Sequence, residues 1–269
     1  MNREFFHNTY SRIDSYYKPS IGKICSLVLM ALFLLVVIFF ANVSANLASF
    51  WSPVKAYNTP LQDLVTDFFN FNLYTNAYLH AVDALIISFC AISAAIIILN
   101  RLAIYILLKL MFCISISYIF RITTVLVTSL PDSWNMGRRT VYDFYSQAER
   151  NRGGDLIFSG HTLLACSFAH AWSSFYLITD SYALHWITGI LAWAWVALIL
   201  VLILVGRLHY TIDVLLGIYI ASGVWWTTSY FETRIFKDPV STLKFRERSP
   251  APLNSASLDR PPALPAPNT

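Results

Sequence analysis

The chain has 269 residues, of which 57% are hydrophobic and 13% charged, with a formal net charge of +4 and a mean hydropathy of +0.55. This composition excludes an ordinary soluble globular domain and predicts a protein whose main solvent is lipid. The basic residues are scattered and concentrate near the ends of apolar runs, where anionic lipid explains them, so no nucleic-acid partner is expected. The four cysteines lie in apolar stretches at irregular spacing, which favours neither disulfides nor a zinc site.

Composition divides the chain into a cytosolic segment over residues 1–22, a transmembrane region over 23–236 and a Pro-rich tail over 237–269. The tail is predicted to be disordered, because it cannot bury a core. Six apolar runs in the middle region are long enough to cross roughly 30 Å of hydrocarbon. They predict an all-α membrane protein, a bundle of six transmembrane helices. The predicted spans are Ile24–Val43, Leu79–Leu99, Leu102–Thr128, Ser159–Ile178, Leu184–Val205 and Tyr210–Phe231.

Two connections between spans have distinct patterns. Only Asn100 and Arg101 separate the second span from the third, which predicts a tight hairpin. Between the first two spans, Thr59 and Pro60 form an N-cap pattern, and the apolar residues that follow share one helical face. They predict a short helix on the membrane surface, with a plain loop as the alternative. These apolar residues are Leu61, Leu64, Val65, Phe68 and Phe69.

Orientation follows from the distribution of lysine and arginine. Placing both termini in the cytosol puts most basic residues on that side, as the positive-inside rule requires. The loop over residues 129–155 would then face the lumen or the exterior, although its own arginines oppose the bias.

Two short strings carry the candidate chemistry. GGDLIFSGHT, residues 153–162, precedes the fourth span, and GRLHYTID, residues 206–213, precedes the sixth. Both loops open on one side of the membrane in the predicted topology, so His161 and His209 are expected at the same level. Two histidines on one membrane face are suited to acid–base and nucleophilic chemistry.

Each string has a physical feature that suits phosphate chemistry. Ser159 is a natural N-cap, and the helix that starts there would aim free N–H groups and a positive dipole end at a phosphate oxygen. His209 and Asp213 are four residues apart, so on a helix the carboxylate can orient the imidazole. A histidine at a membrane interface is often structural, but an aspartate within a span is a functional hypothesis by default.

These residues resemble a known family. Ser159-Gly160-His161 together with His209 and Asp213 resembles the histidine-based lipid phosphatase and phosphotransferase superfamily, and the two full strings resemble its sphingomyelin synthase branch. The segment RITTVLVTSLP, residues 121–131, is similar to the branch's segment at the end of the third helix. Lipid phosphatases place an arginine several residues before their second histidine, whereas Arg207 is only two before His209. This spacing is closer to inositol phosphorylceramide synthases.

The resemblance implies transfer of a phospho-head-group, with phosphocholine expected first, from a glycerophospholipid to the primary hydroxyl of ceramide. His209 would be the nucleophile, His161 the acid and then the base, and Asp213 the orienting carboxylate, with no metal or cofactor. Phosphoinositol and phosphoethanolamine are alternative head groups. A lipid phosphate phosphatase shares the same catalytic residues, and a lipid-binding or transport protein on the same scaffold is the non-enzymatic alternative. The resemblance implies the Golgi or plasma membrane, with the endoplasmic reticulum also open, and it leaves a homo-oligomer open.

Further residues are candidates for binding substrate. Asp83, near the outer end of the second span, could line the reaction chamber, with pairing to a neighbouring helix as the alternative. Arg121, near the outer end of the third span, could hold a phosphate, with a snorkelling interface residue as the alternative. The tryptophans near span ends, including Trp172 and Trp225, are predicted to be interface anchors. The complete set of predicted substrate-binding residues is Arg121, Ser159, Arg207, Asp155 and Asp83.

Overall fold

A computed structural model describes most of the apolar part of the chain. The described residues are 20–51, 61–68, 76–100, 102–128, 130, 157–178 and 181–235. Every regular element within these ranges is helical. The elements are α1 (Ile21–Trp51), α2 (Leu64–Phe68), α3 (Asn76–Leu99), α4 (Ala103–Val127), α5 (Gly160–Ser174), α6 (Tyr182–Val205), α7 (Thr211–Tyr230) and a π-helical turn over Phe231–Ile235.

Four of the described helices are long and apolar enough to cross a membrane, namely those over Ile21–Ala48, His80–Leu99, Ala103–Val127 and Tyr182–Val205. Many of their large apolar side chains are exposed, as Leu29 in α1 and Ile190 in α6 illustrate. Such extensive apolar exposure is unfavourable in water and favourable in hydrocarbon. The prediction of an all-helical membrane protein is therefore confirmed. The helices α5 and α7 are not among these four, and the count of six spans stays a prediction.

The fourth predicted span is longer than the helix that forms. α5 has 15 residues, which correspond to about 22 Å, and the backbone turns extended at Phe175. The carbonyls of Tyr176 and Leu177 accept hydrogen bonds from Asn100 Nδ2 at 2.9 and 3.1 Å. Because this side chain satisfies the carbonyls, the helix does not need to continue to Ile178 as predicted.

Asn100 also forms the hairpin between α3 and α4. Its Oδ1 accepts a hydrogen bond from the N–H of Leu102 at 2.9 Å, and its own N–H donates to the carbonyl of Ile97. The predicted tight hairpin is confirmed, while Arg101 lies outside the described residues.

The short helix α2 begins later than predicted. Residues 61–63 are not helical, and the Asp63 carboxylate accepts a hydrogen bond from the N–H of Val65 at 3.1 Å, as an N-cap does. Asp63 therefore caps α2, and the predicted start at Pro60 is wrong. Leu64 and Phe68 are exposed, as expected for a helix at a membrane surface, but that location stays a prediction.

Tryptophan–serine hydrogen bonds connect α5 to its neighbours. Trp172 Nε1 donates to Ser93 Oγ of α3 at 2.8 Å, and Trp225 Nε1 of α7 donates to Ser174 Oγ at 3.0 Å. Both indoles are buried, so the prediction that they anchor the interface is wrong. Their N–H groups have partners inside the bundle, which makes burial of the large apolar ring favourable.

The chain forms two compact units, the first extending to Thr228 and the second starting at Ser229. The second is described over residues 229–235, where Thr233 Oγ1 donates to the carbonyl of Ser229. Every described candidate site residue lies in the first unit. The predicted tail over 237–269 and residues 1–19 of the predicted N-terminal segment lie outside the described residues.

Candidate active site

The first motif string forms the capped start of α5. Ser159 is the N-cap, and its hydroxyl oxygen accepts a hydrogen bond from the N–H of Thr162 at 3.3 Å, as predicted. Phe158 before it has a φ of 84°, which is strained for an aromatic residue. Arg121 Nε of α4 donates to the Phe158 carbonyl at 2.9 Å. The guanidinium thus holds the strained turn from which α5 starts.

Gly160 lies against α4. A Cβ at this position would lie 3.5 Å from Arg121 Nε and 3.5 Å from the hydroxyl oxygen of Tyr118. Arg121 is itself buried. The predicted substrate-binding residue Arg121 therefore lies beside the N-terminus of α5, where it adds positive charge to the helix dipole.

The second motif string is a helix-terminating turn followed directly by a new helix. The N–H groups of Arg207 and Leu208 donate to the carbonyls of Leu204 and Ile203, both at 3.0 Å, which is a Schellman ending of α6. Arg207 occupies the position usually held by glycine, with a φ of 50°. Backbone strain is therefore present just before both histidines of the site.

Asp213 lies at the third position of α7, and its carboxylate reaches back to the helix start. Its Oδ2 accepts the Tyr210 N–H at 2.9 Å, the side-chain-to-N-cap bond of a capping box. The same oxygen is 3.7 Å from His209 Nδ1. The predicted pair is therefore in place at ion-pair distance, although this distance is too long for a hydrogen bond. Asp213 is fully buried, and its Oδ1 accepts no hydrogen bond from the described residues.

The two strings are in direct contact. The Ser159 N–H donates to the Asp213 carbonyl at 3.2 Å, which ties the start of α5 to the first turn of α7. A Cβ at Gly217 of α7 would lie 2.9 Å from the side chain of Thr162. The rings of His161 and His209 consequently lie with centroids 6.3 Å apart at an angle of 66°. The sequence expectation that the histidines share one level is met.

His161 has a carboxylate partner that sequence did not assign to it. Its Nε2 is 3.2 Å from Asp83 Oδ1 of α3. The His161 and Asp83 side chains are 35% and 44% exposed, against 10% for His209 and 0% for Asp213. The sequence predicts that Asp83 lines the substrate chamber. In the structure, Asp83 lies at the site as the partner of His161.

The remaining candidates lie in different surroundings. Arg207 Nη2 is 3.1 Å from Asp67 Oδ1, so its guanidinium is engaged by α2. Asp155 lies outside the described residues. His170 shares a hydrogen bond with Ser222 Oγ at 2.9 Å and stacks on Trp225 within the bundle.

Sequence reasoning missed three residues near the site, which are Tyr118, Asp63 and Asp67. Asp63 directly precedes the apolar pair Leu64 and Val65, which is an N-cap pattern that could have revealed it. Tyr118 sits within a continuous apolar run and gives no such signal. Within the described ranges, no group of three or more histidine, cysteine, aspartate or glutamate side chains is arranged to hold a metal ion.

Comparison with known proteins gives two matches. Residues 153–230 match the family model described as the PAP2 superfamily C-terminal domain. A Caenorhabditis elegans protein, provisionally named phosphatidylcholine:ceramide cholinephosphotransferase 3, is 28% identical over 141 residues, which are 44% of this chain and 39% of that protein. The chain thus spans about two fifths of the length of the curated relative it matches.

These two matches confirm the resemblance inferred from the motif strings. Together with the membrane-spanning helices, they support a lipid phosphotransferase or lipid phosphatase. The matched region contains His161, His209 and Asp213, while Asp83 precedes it in the chain.

Proposed function

We propose that this protein transfers the phosphocholine head group of a glycerophospholipid to the primary hydroxyl of ceramide and releases diacylglycerol. The observation that carries the proposal is the pair of histidines from two separate helix starts, with ring centroids 6.3 Å apart and a carboxylate beside each. Rings with centroids this close can both reach one phosphate ester bound between them.

In the first half-reaction, the lone pair of His209 Nε2 attacks phosphorus, and the bond from phosphorus to the diacylglycerol oxygen breaks. His209 is assigned this role because its Nδ1 faces Asp213, which leaves Nε2 on the opposite edge of the ring. The buried carboxylate stabilises the positive charge that develops on the imidazole as the P–N bond forms. The departing oxygen takes a proton from His161.

In the second half-reaction, neutral His161 accepts the proton of the ceramide hydroxyl as that oxygen attacks phosphorus. The P–N bond breaks, and His209 recovers its lone pair. Asp83 stabilises the protonated state of His161, which is present before the first half-reaction and again after the second, since its Oδ1 is 3.2 Å from the ring. The N-terminus of α5 with Arg121 beside it would neutralise the phosphate oxygens.

The proposed function also requires a membrane topology that gives the site access to both lipids. Six transmembrane helices, with both termini in the cytosol, would place the site on the lumenal or exoplasmic face of the Golgi or plasma membrane, where it could exchange lipids sideways with the bilayer. A cysteine at position 147, between α4 and α5 in the sequence, should react with an impermeant thiol reagent from the lumenal or external side. If this cysteine reacts only when the reagent can reach the cytosolic side of the membrane, the proposed topology is wrong.

The activity can be tested in proteoliposomes that contain fluorescent ceramide and one donor at a time, namely phosphatidylcholine, phosphatidylethanolamine or phosphatidylinositol. Fluorescent sphingomyelin should form only with phosphatidylcholine, and the His209→Ala protein is the matched control. Product from another donor would reassign the head group. Release of diacylglycerol with free phosphocholine, and without a ceramide product, would identify water as the acceptor and the protein as a phosphatase.

A further inference from the structure

A segment far away in sequence is hydrogen-bonded to the turn that carries His209. We define the latch as residues 61–68, comprising the chain before α2 and α2 itself, and the His209 turn as residues 206–211. The Leu61 N–H donates to the Tyr210 hydroxyl oxygen at 2.9 Å. Side chains of the latch make further contacts with residues on both sides of His209.

Asp63 makes the most extensive of these contacts. Its Oδ2 accepts the Thr211 N–H at 2.7 Å, and its Oδ1 accepts the Thr211 hydroxyl at 2.9 Å. Since Thr211 is the first residue of α7, the carboxylate satisfies a donor that has no partner within that helix. Asp63 also accepts the Val65 N–H, so one side chain caps both α2 and the helix that follows His209.

Asp67 holds the other side of the turn. Its Oδ1 is 3.1 Å from Arg207 Nη2, and its Oδ2 accepts the Asp63 N–H at 3.2 Å. The Asp67 carboxylate is thereby tied to the backbone of Asp63. Arg207 has a strained φ of 50°, and a conformation of this kind persists only where the surroundings hold it. The Asp67 ion pair is one such restraint.

We infer that Asp63 and Asp67 are positioning residues for the nucleophile of the proposed transfer reaction, an inference that rests on the proposed function. Neither carboxylate contacts the histidine rings among the interactions described. Instead, they fix Arg207 and Thr211, the residues two before and two after His209. Holding both sides keeps the imidazole edge aimed at the phosphorus, and misplacement by about 1 Å is enough to slow such a reaction about a hundredfold.

The kinetic test uses a series of latch variants in proteoliposomes. Asp63→Ala should lower kcat about tenfold to a hundredfold, while KM for both lipids changes less than about twofold, because the charged hydrogen bonds position the nucleophile and do not bind substrate. Asp63→Asn should recover most of kcat, since its amide oxygen can accept the Thr211 N–H. Thr66→Val is the matched control, because the Thr66 hydroxyl bonds only within the latch, to the Asp63 carbonyl.

A double-mutant cycle separates positioning from a general loss of folding. Thr211→Val removes the hydroxyl donor and keeps the backbone one, and its effect on kcat should be largely lost when Asp63 is already alanine. Fully additive effects would overturn the inference. So would an unchanged kcat in Asp63→Ala, or a loss in Thr66→Val equal to that in Asp63→Ala.

Hydrogen–deuterium exchange gives a readout that needs no activity. Asp63→Ala should speed exchange in peptides that cover residues 206–213, whereas Thr66→Val should leave it unchanged. If the unmodified protein transfers no head group, the proposed function fails, and exchange still decides whether the latch restrains the turn. Unchanged exchange in Asp63→Ala and Asp67→Asn would overturn the latch even if transfer is observed.

Discussion

The two histidines of the site differ in how firmly they are held. His209 is nearly buried, its partner Asp213 is fully buried, and the carboxylate is fixed in turn by the Tyr210 N–H. His161 and Asp83 are about a third to a half exposed and come from α5 and α3. A nucleophile reacts faster when its ring is held in one orientation, whereas a group that exchanges protons with two successive substrates must stay accessible to them. The difference in burial therefore supports the proposed roles, which are covalent for His209 and proton transfer for His161.

The largest effect is expected for the buried histidine. His209→Ala should lower transfer about ten-thousandfold or more and abolish trapping of labelled head group on the protein, because the substitution removes the proposed nucleophile. Trapping is measured by mixing the purified protein with head-group-labelled phosphatidylcholine and separating the denatured protein. Label retained on His209→Ala protein would move the covalent role to another residue and remove the contrast between the two histidines.

Asp213→Asn tests whether the buried carboxylate acts through its charge or through its capping bond. The amide oxygen can still accept the Tyr210 N–H, so the start of α7 should be preserved. The negative charge beside His209 Nδ1 is lost, and transfer should fall about a hundredfold to ten-thousandfold. Expression and the thermal unfolding midpoint serve as controls. Near-normal transfer would reduce Asp213 to a helix cap.

The two histidine–aspartate pairs also differ in whether the sequence can predict them. The His209–Asp213 pair is local, because residues four apart share a helix face whatever the fold around them. The Ser159 cap is local for the same reason. The His161–Asp83 pair joins helices whose packing is set by the whole bundle, and no spacing rule connects them. Asp83 was therefore found as a candidate without its partner.

The fold shows the same division between local and long-range information. Apolar runs located the main helices because hydrocarbon requires long helical segments with internally bonded backbones. The early end of α5 was missed, because it depends on a hydrogen bond from Asn100 that joins distant parts of the chain. The latch was missed because the bonds from Asp63 to Thr211 and from Asp67 to Arg207 join distant parts of the chain.

His161→Ala should lose transfer with an ordinary lipid donor by about a hundredfold to ten-thousandfold, since the diacylglycerol alkoxide leaves poorly without a proton. When the donor carries a nitrophenyl leaving group, the departing nitrophenolate is a weak base and needs little protonation. On this donor, His161→Ala should give one burst of nitrophenol and then stall, because nothing deprotonates the ceramide hydroxyl, while His209→Ala should give none. The absence of a burst in both variants would assign His161 to phosphate binding and leave the acid to be sought elsewhere.

Asp83→Asn should have a smaller effect, about tenfold on transfer, because the pair is partly exposed to solvent and the histidine itself remains. If Asp83 acts through His161, the rate of the nitrophenol burst from the nitrophenyl donor should be close to normal, because that step needs little acid. Asp213→Asn should show no such recovery, since it impairs the nucleophile. Equal behaviour of the two asparagine variants on this donor would contradict separate roles for the two carboxylates.

The smallest effect is expected from the contact that brings the two strings together. A Cβ at Gly217 would lie 2.9 Å from the Thr162 side chain and 3.2 Å from the Ser159 carbonyl oxygen, so Gly217→Ala must push α7 away from the start of α5. Overpacking of this kind costs about 1–3 kcal/mol, partly offset by about 1 kcal/mol of improved helix propensity. Thermal unfolding in detergent should show a lower midpoint, and transfer should fall because the distance between His161 and His209 changes.

Gly223 of the same helix supplies the matched control for this last prediction. A Cβ there meets no atom within 4 Å, so Gly223→Ala should gain helix propensity without a clash and leave the midpoint unchanged or raised. The two variants change the same residue type in one helix, and of the two glycines only Gly217 faces the start of α5. A midpoint raised equally in both would show that α7 can move freely against α5. The approach of the two helices would then not set the spacing of the histidines.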